Sequence, residues 1–122
     1  MRYSLNDFVI SKHYNLKEFE CPCCNTVKIA NDVVEALENL SDLLHEKLQI
    51  TSGYRCPKHN KEVGGVPNSF HTQGLAVDIV RPKKSDGEII DLARKAGFRG
   101  VGIYRGRGIV HLDLGPIRNW EE

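Results

Sequence analysis

Two short stretches of the chain concentrate side chains that can bind a metal ion. One runs Ser69-Phe70-His71-Thr72-Gln73-Gly74-Leu75-Ala76-Val77-Asp78, the other Val110-His111-Leu112-Asp113-Leu114-Gly115. Alternate side chains of an extended strand emerge on one face, so His111 and Asp113 share one. If the two stretches are neighbours in space, His71, Asp78 and His111 converge. Two imidazoles and a carboxylate, with a fourth position left for water, suit a catalytic Zn²⁺. Asp78 adds weight to that reading because it interrupts an otherwise apolar run, 75–80. A carboxylate buried there is costly unless it is hydrogen-bonded or holds a cation. A core-facing Asp that caps a turn is the alternative.

The cysteines raise a second metal question. Cys21-x-x-Cys24 and Cys56-x-x-His59 together make a C-x2-C…C-x2-H set, compatible with a structural zinc that staples an N-terminal arm. Cys23 is then left over. Free thiols, and a disulfide from Cys23 or Cys24 to Cys56, stand as alternatives that depend on the working compartment. None of the four resembles a nucleophile.

The elements that must position these groups are delimited by pattern. Val33, Val34, Leu37, Leu40, Leu43, Leu44 and Leu48 recur every three or four residues, which predicts a helix over 32–48 with Asn31 as its N-cap. A short strand over 49–52 follows, then one or two helical turns within 56–63, stopped by Gly64-Gly65. A strand over 75–80 places Ala76, Asp78 and Val80 on one face and Leu75, Val77 and Ile79 on the other. Ser85-Asp86-Gly87-Glu88 is a capping box opening a helix that reaches Ala96 and stops at Gly97. Strands over 101–105 and 109–114 flank a Gly106-Arg107-Gly108 turn. Phe8, Tyr14, Leu16 and Phe19 pin an arm, residues 1–29, onto a body, residues 30–122, with a helical turn near 16–20. Trp120 is expected to close the core with Pro116 and Ile117, and Arg118 to be solvated. The whole is one small α+β domain, an antiparallel sheet with flanking helices.

Composition narrows the partners. The 122 residues carry 17 Lys+Arg against 16 Asp+Glu, a formal net charge of +1, so nothing electrostatic calls for nucleic acid or an anionic membrane. No apolar run approaches the ~18–20 residues of a membrane span. Residues 1–7 lack the apolar stretch and cleavage site of a secretory signal. The expectation is a monomer made in the cytoplasm without an export address.

The motifs resemble those of a known family. Ser69, His71, Gly74, Ala76 and Asp78 stand as S-x-H-x-x-G-x-A-x-D, similar to the first motif of zinc D-alanyl-D-alanine carboxypeptidases and related peptidoglycan peptidases. Ser52-Gly53-Tyr54-Arg55 resembles the family's S-G-Y-R segment. The run from Val110 to Trp120 is similar to the V-H-x-D-x-G-x-x-R-x-W ending of its murein endopeptidase branch. The broader group includes lysostaphin-like peptidases and the hedgehog signalling domain, whose fold the resemblance implies here. It covers about residue 30 to the C-terminus.

The resemblance implies that His71, Asp78 and His111 are the ligands of one catalytic zinc and that Arg55 stands by the substrate. It also implies amide hydrolysis by a zinc-activated water, on a peptidoglycan stem peptide, of carboxypeptidase or endopeptidase type. Several members place an acid three residues before the second histidine ligand, where this chain has Gly108. Asp113 is the nearest replacement as general base, with a role orienting an imidazole as its alternative. Ser69 and Tyr104 are candidate substrate contacts; loop capping and apolar filling are their alternatives. A phage endolysin-type lysis enzyme is a natural setting for such a chain. A zinc-containing, non-catalytic binding module of the same fold is the competing function, and an interaction domain built on the cysteines alone is a third.

Overall fold

The computed structural model describes residues 11–67 and 69–122. Phe8 and the N-terminal segment 1–7, and Asn68 of the irregular stretch 66–70, lie outside the described residues. The elements are α1 (Asn31–Leu44), β1 (Ile50–Ser52), α2 (Pro57–Glu62), β2 (Ala76–Val80), α3 (Asp86–Ala96), β3 (Gly100–Tyr104), β4 (Ile109–Asp113) and β5 (Arg118–Glu121). Short 3₁₀ turns span Leu16–Phe19, Phe70–Gln73 and Arg105–Arg107.

The strands form one sheet in the order β1-β2-β4-β3-β5. β1, β2, β4 and β3 pair antiparallel, whereas β5 lies parallel to β3. The sheet is therefore mixed, which corrects the purely antiparallel expectation. The fifth strand escapes sequence patterning because Arg118-Asn119-Trp120-Glu121 has no apolar alternation. Its pairing is made by backbone and by what its side chains reach on the sheet.

Strand alternation divides the sheet into two functional faces. Val77 and Ile79 of β2, Val101 of β3, and Val110 and Leu112 of β4 point into a core shared with Val33, Leu37 and Leu40 of α1 and Ile89, Ala93 and Ala96 of α3. Asp78, His111, Asp113, Arg118 and Trp120 occupy the intervening positions and so emerge on the face away from the helices. A two-layer architecture of this kind stabilises the sheet from one side and leaves the other for a site.

α1 is shorter than its apolar repeat suggests. It ends at Leu44, where His45 adopts a left-handed conformation (φ 57°) and its N–H bonds back to Asp42 and Ser41. Leu48 is buried all the same, delivered by the chain after the turn, and Leu43 is exposed. The N-cap is Ala30, not Asn31, and makes no side-chain cap. Ser85 does cap α3, its Oγ accepting from the Glu88 N–H. Tyr14 and Phe19 lie in the core. Tyr14 Oη and Ser41 Oγ lie 2.7 Å apart, and that phenol oxygen also accepts from the Leu48 N–H. No helix among the described residues is long and apolar enough to cross a membrane.

Candidate active site

Two rows of residues crossing the sheet build the site. In one, Asp78 of β2 lies beside His111 of β4, which lies beside Gly102 of β3, which lies beside Trp120 of β5. In the next, Ala76, Asp113, Gly100 and Arg118 follow in the same order. Both β3 positions are glycine for a spatial reason. A Cβ at Gly102 would collide with the Trp120 indole, and one at Gly100 with the Arg118 guanidinium and the Asp113 carboxylate. The bare backbone of β3 lets the β5 side chains lean across it and reach β4.

His71 arrives from the 3₁₀ turn before β2. Ser69 caps that turn, its Oγ accepting from the His71 N–H at 3.2 Å. His71 Nδ1 lies 2.8 Å from the Gly53 carbonyl oxygen, in the loop after β1. Its Nε2 faces Asp78 Oδ1 at 3.2 Å and His111 Nδ1 at 3.3 Å, and His111 Nδ1 is 2.9 Å from the same Asp78 oxygen. The far nitrogen of His111, Nε2, is 2.7 Å from Asp113 Oδ2.

These contacts fix the tautomers. A carbonyl oxygen only accepts, so His71 carries its proton on Nδ1. By the same argument the Asp113 carboxylate takes the His111 proton on Nε2. In the singly protonated forms that can bind a metal, His71 Nε2 and His111 Nδ1 present lone pairs toward each other and toward Asp78 Oδ1. Three acceptors within 3.3 Å of one another repel unless a proton or a metal cation lies among them. Two nitrogens and a carboxylate oxygen are the donor set of a borderline ion such as Zn²⁺, and the residues present fit it. Each imidazole is backed by an acceptor, as metal-bound histidines generally are.

Charge at the site follows from this geometry. Burial pushes the Asp78 carboxyl up, but where no metal ion is present protons on His111 and His71 can be donated to it, which outweighs burial and holds it well below the usual carboxylate range. Asp113 behaves likewise: burial raises it, while His111, Arg118 and the Gly115 N–H together pull it down. Arg118 grips Asp113 bidentately, Nη1 to Oδ1 at 2.9 Å and Nη2 to Oδ2 at 2.8 Å, and the Gly115 N–H donates to Oδ1 at 2.9 Å. With His111 the carboxylate receives four donors, which fills its lone pairs, and it is fully buried.

The site opens into a cleft of about 470 Å³ whose walls include Arg55, Phe70, Tyr104, Arg107, Trp120 and Glu122. Arg55 leans in with a buried Nε that has no hydrogen-bond partner. Burial lowers its pKa, partly offset by the negative charge of Asp78. Tyr104 lines the same wall and its hydroxyl accepts from Trp120 Nε1 at 3.1 Å. The Arg118 guanidinium sits over the Trp120 ring, 4.8 Å from its centroid. Ser69 lines the cleft too, with its hydroxyl engaged as a cap.

Sequence reasoning misplaced two residues of this wall. Trp120 does not close the core and Ile117 is exposed; Arg118 is not merely solvated but paired with buried Asp113. The available signal was their own spacing. Arg118 and Trp120 are two apart, as strand neighbours on one face must be, although they are out of phase with His111 and Asp113 and reach the same face only because a turn separates the two strands.

The cysteine set also differs from its expected composition. Sulfurs of Cys21, Cys23, Cys24 and Cys56 lie within 4.8 Å of one another. His59 stands outside that group on α2, its Nδ1 3.8 Å from Glu62 Oε2. Cys23, expected to be left over, is in contact with both Cys21 and Cys56.

A family model described as Peptidase M15 matches residues 12–113. Peptidoglycan L,D-endopeptidase MepK of Escherichia coli (strain K12) is 34% identical over 97 residues, 70% of this chain and 51% of that protein. The protein of the same name from Shigella flexneri aligns with the same values. A Haemophilus influenzae protein named "Probable peptidoglycan L,D-endopeptidase MepK" is 27% identical over 84 residues, 65% of this chain and 45% of its own length. The chain thus spans about half the length of the curated relatives it matches.

Proposed function

Because the chain belongs to the peptidase M15 family, we propose that it is a zinc-dependent peptidase that hydrolyses an amide bond in peptidoglycan peptides. The endopeptidase form is preferred, at a bond of the L,D type that the relatives' names describe. The observation that carries the reading is the convergence of His71 Nε2, Asp78 Oδ1 and His111 Nδ1, with both outer imidazole nitrogens already bonded elsewhere. When bound there, zinc supplies Lewis acidity, lowering the pKa of water towards ~7 and polarising a carbonyl.

The residues around it have separable tasks. Gly53 and Asp113 hold the two imidazoles in the ligating tautomer and orientation. Arg118 holds Asp113, and a carboxylate that accepts four hydrogen bonds is a poor acceptor for a further proton. We therefore assign Asp113 to positioning rather than to proton transfer. Arg55, with its unpartnered Nε, is suited to a carboxylate or to negative charge developing on a carbonyl oxygen. Tyr104, Trp120 and Phe70 give the cleft apolar walls for a peptide backbone to lie on. Action at the cell wall follows from the substrate; release by a phage-type partner is one route to it.

The test is digestion of isolated sacculi and defined muropeptides, with products resolved by mass spectrometry. New amino and carboxyl termini inside the stem peptide, abolished by a chelator and by His71→Ala, are the expected result. Release of terminal D-alanine alone would assign a carboxypeptidase. Retention of zinc with binding but no turnover on any substrate would overturn the enzyme reading in favour of a binding module.

A further inference from the structure

Away from the cleft, four sulfurs from two distant parts of the chain meet in one place. Cys21 and Cys23 are 3.5 Å apart, Cys23 and Cys56 3.3 Å, and Cys21 and Cys56 3.7 Å. Cys24 completes a set in which every sulfur lies within 4.8 Å of the others. Four thiols gain little from such crowding, since S–H is a weak donor and sulfur a weak acceptor. A disulfide would use two of them and leave the other two unexplained. A tetrahedral ion with metal–sulfur bonds of about 2.3 Å, by contrast, sets neighbouring sulfurs about 3.8 Å apart, close to the separations found.

The backbone is arranged for the same purpose. The loop bearing three of the cysteines is closed on itself: the Cys21 N–H donates to the Thr26 carbonyl at 2.8 Å, and the Asn25 N–H to the Cys21 carbonyl at 2.8 Å. Asn25 takes the left-handed conformation (φ 60°) that such a tight return needs. Opposite it, Cys56 is the N-cap of α2. The His59 N–H donates to Cys56 Sγ at 3.4 Å, and the Cys56 N–H to Cys21 Sγ at 3.5 Å. Backbone N–H groups aimed at sulfur favour the thiolate, the form that binds metal.

We propose that Cys21, Cys23, Cys24 and Cys56 form a second, closed metal site that takes a structural Zn²⁺ on four thiolates. It has no open position for substrate and does no chemistry. It ties the N-terminal arm to the loop between β1 and α2, the loop that supplies the Gly53 carbonyl to His71 and carries Arg55. The Tyr54 N–H already donates to the Phe19 carbonyl at 2.8 Å across this junction. The ion therefore clamps the backbone on which one imidazole of the catalytic centre rests.

The experiment is a metal count on the whole chain, purified with reductant and without added zinc, on wild type, His71→Ala, Cys23→Ser, Cys56→Ser and His59→Ala. Two zinc ions per chain are expected in wild type. One is expected in His71→Ala and in each cysteine variant, and two in His59→Ala. Cobalt loaded into His71→Ala should give the intense near-ultraviolet absorption of thiolate-to-cobalt charge transfer, a readout that survives should a cysteine variant fail to fold. Three results would overturn the site. The first is no metal and no such absorption in His71→Ala. The second is His59→Ala losing an ion that Cys23→Ser keeps. The third is two thiols missing when a separate wild-type preparation, made without reductant, is chelated, unfolded and titrated.

Discussion

The His71–Asp78–His111 centre and the cysteine cluster both gather ligands from far apart in the chain, yet they are built by opposite means. At the first, Asp78 and His111 project from neighbouring strands in register, and the outer nitrogens of His71 and His111 are bonded to Gly53 and Asp113. Asp113 is itself held by Arg118 and Gly115. The positions of these side chains are set by the sheet, by the turn that carries His71 and by their hydrogen-bond partners. At the second, three of the four sulfurs sit on one short loop closed by its own backbone hydrogen bonds, Cys23 and Cys24 are exposed, and the sulfurs themselves meet through weak contacts. On these two proposals, the centre for chemistry would be organised in advance, whereas the structural one would draw its order from the ion.

The sharpest way to break this comparison is to remove a ligand from the rigid centre. Asp78→Ala should abolish binding of one ion and lower peptidase activity by about 10³-fold or more, because the Lewis acid is lost. The hydrophobic core should remain folded, as judged by an unchanged helical circular dichroism spectrum. A variant that keeps wild-type activity would remove Asp78 from the ligand set. Chelation should show the other side of the contrast. The segment around 21–26 should become open to proteolysis while amide protection in β2 and β4 persists; simultaneous loss of both would mean that the sheet too depends on metal.

A second-layer change should act less strongly. Asp113→Asn keeps the shape but weakens the hold on the His111 proton and on Arg118. It should lower metal affinity or activity about 10–100-fold. If Asp113 positions His111, much of the loss should appear as weaker metal binding measured by competition with a chromophoric chelator. A fall in kcat with metal affinity unchanged would return Asp113 to the role of proton acceptor.

Gly102→Ala tests whether the bare β3 backbone is what lets β5 reach the site. The added methyl meets the Trp120 indole, and the variant should be destabilised by about 1–3 kcal/mol in urea unfolding. Trp120 fluorescence should shift as the ring is displaced from its place 5.5 Å from His111. An unchanged emission spectrum would show that β5 adapts without moving the ring.

The smallest expected effect lies outside both centres. Asp86, at the start of α3, pairs with Arg81 and with Arg105 of the turn between β3 and β4, and Arg105 also reaches Glu121 of β5. The hydrogen bonds from Arg81 and Arg105 hold the Asp86 carboxyl below its ordinary value. A depressed folded-state value means that its contribution is fully present above the unfolded value, about pH 4, and is lost as pH falls through the folded one. Asp86→Asn should therefore lower the urea midpoint slightly near neutral pH, with the gap from wild type closing in acid. A gap that stays constant with pH would trace the effect to packing.

Much of this was legible in the residues themselves. Apolar periodicity located α1 and α3 because a helix against a sheet must keep a buried stripe. Alternation in 75–80 put Asp78 on the face opposite Val77 and Ile79, where β2 places it. The residue types of His71, Asp78 and His111 left a metal trio open, and the family resemblance made it the proposed ligand set. The ends of α1 were less legible, because the chain after Leu44 turns yet still buries Leu48.

The sequence by itself thus determined which side chains are able to bind a metal and which face of each strand they occupy, since both follow from residue type and a two-residue period. Only the tertiary structure decided what stands beside them. β5 pairs parallel with β3, which brings Arg118 onto Asp113 and Trp120 beside His111, and a loop closed by Asn25 brings Cys23 rather than His59 to the other sulfurs. Such neighbours are contacts between segments far apart in the chain. They depend on strand order, on where glycine leaves room and on which backbone can turn, and no local spacing encodes them.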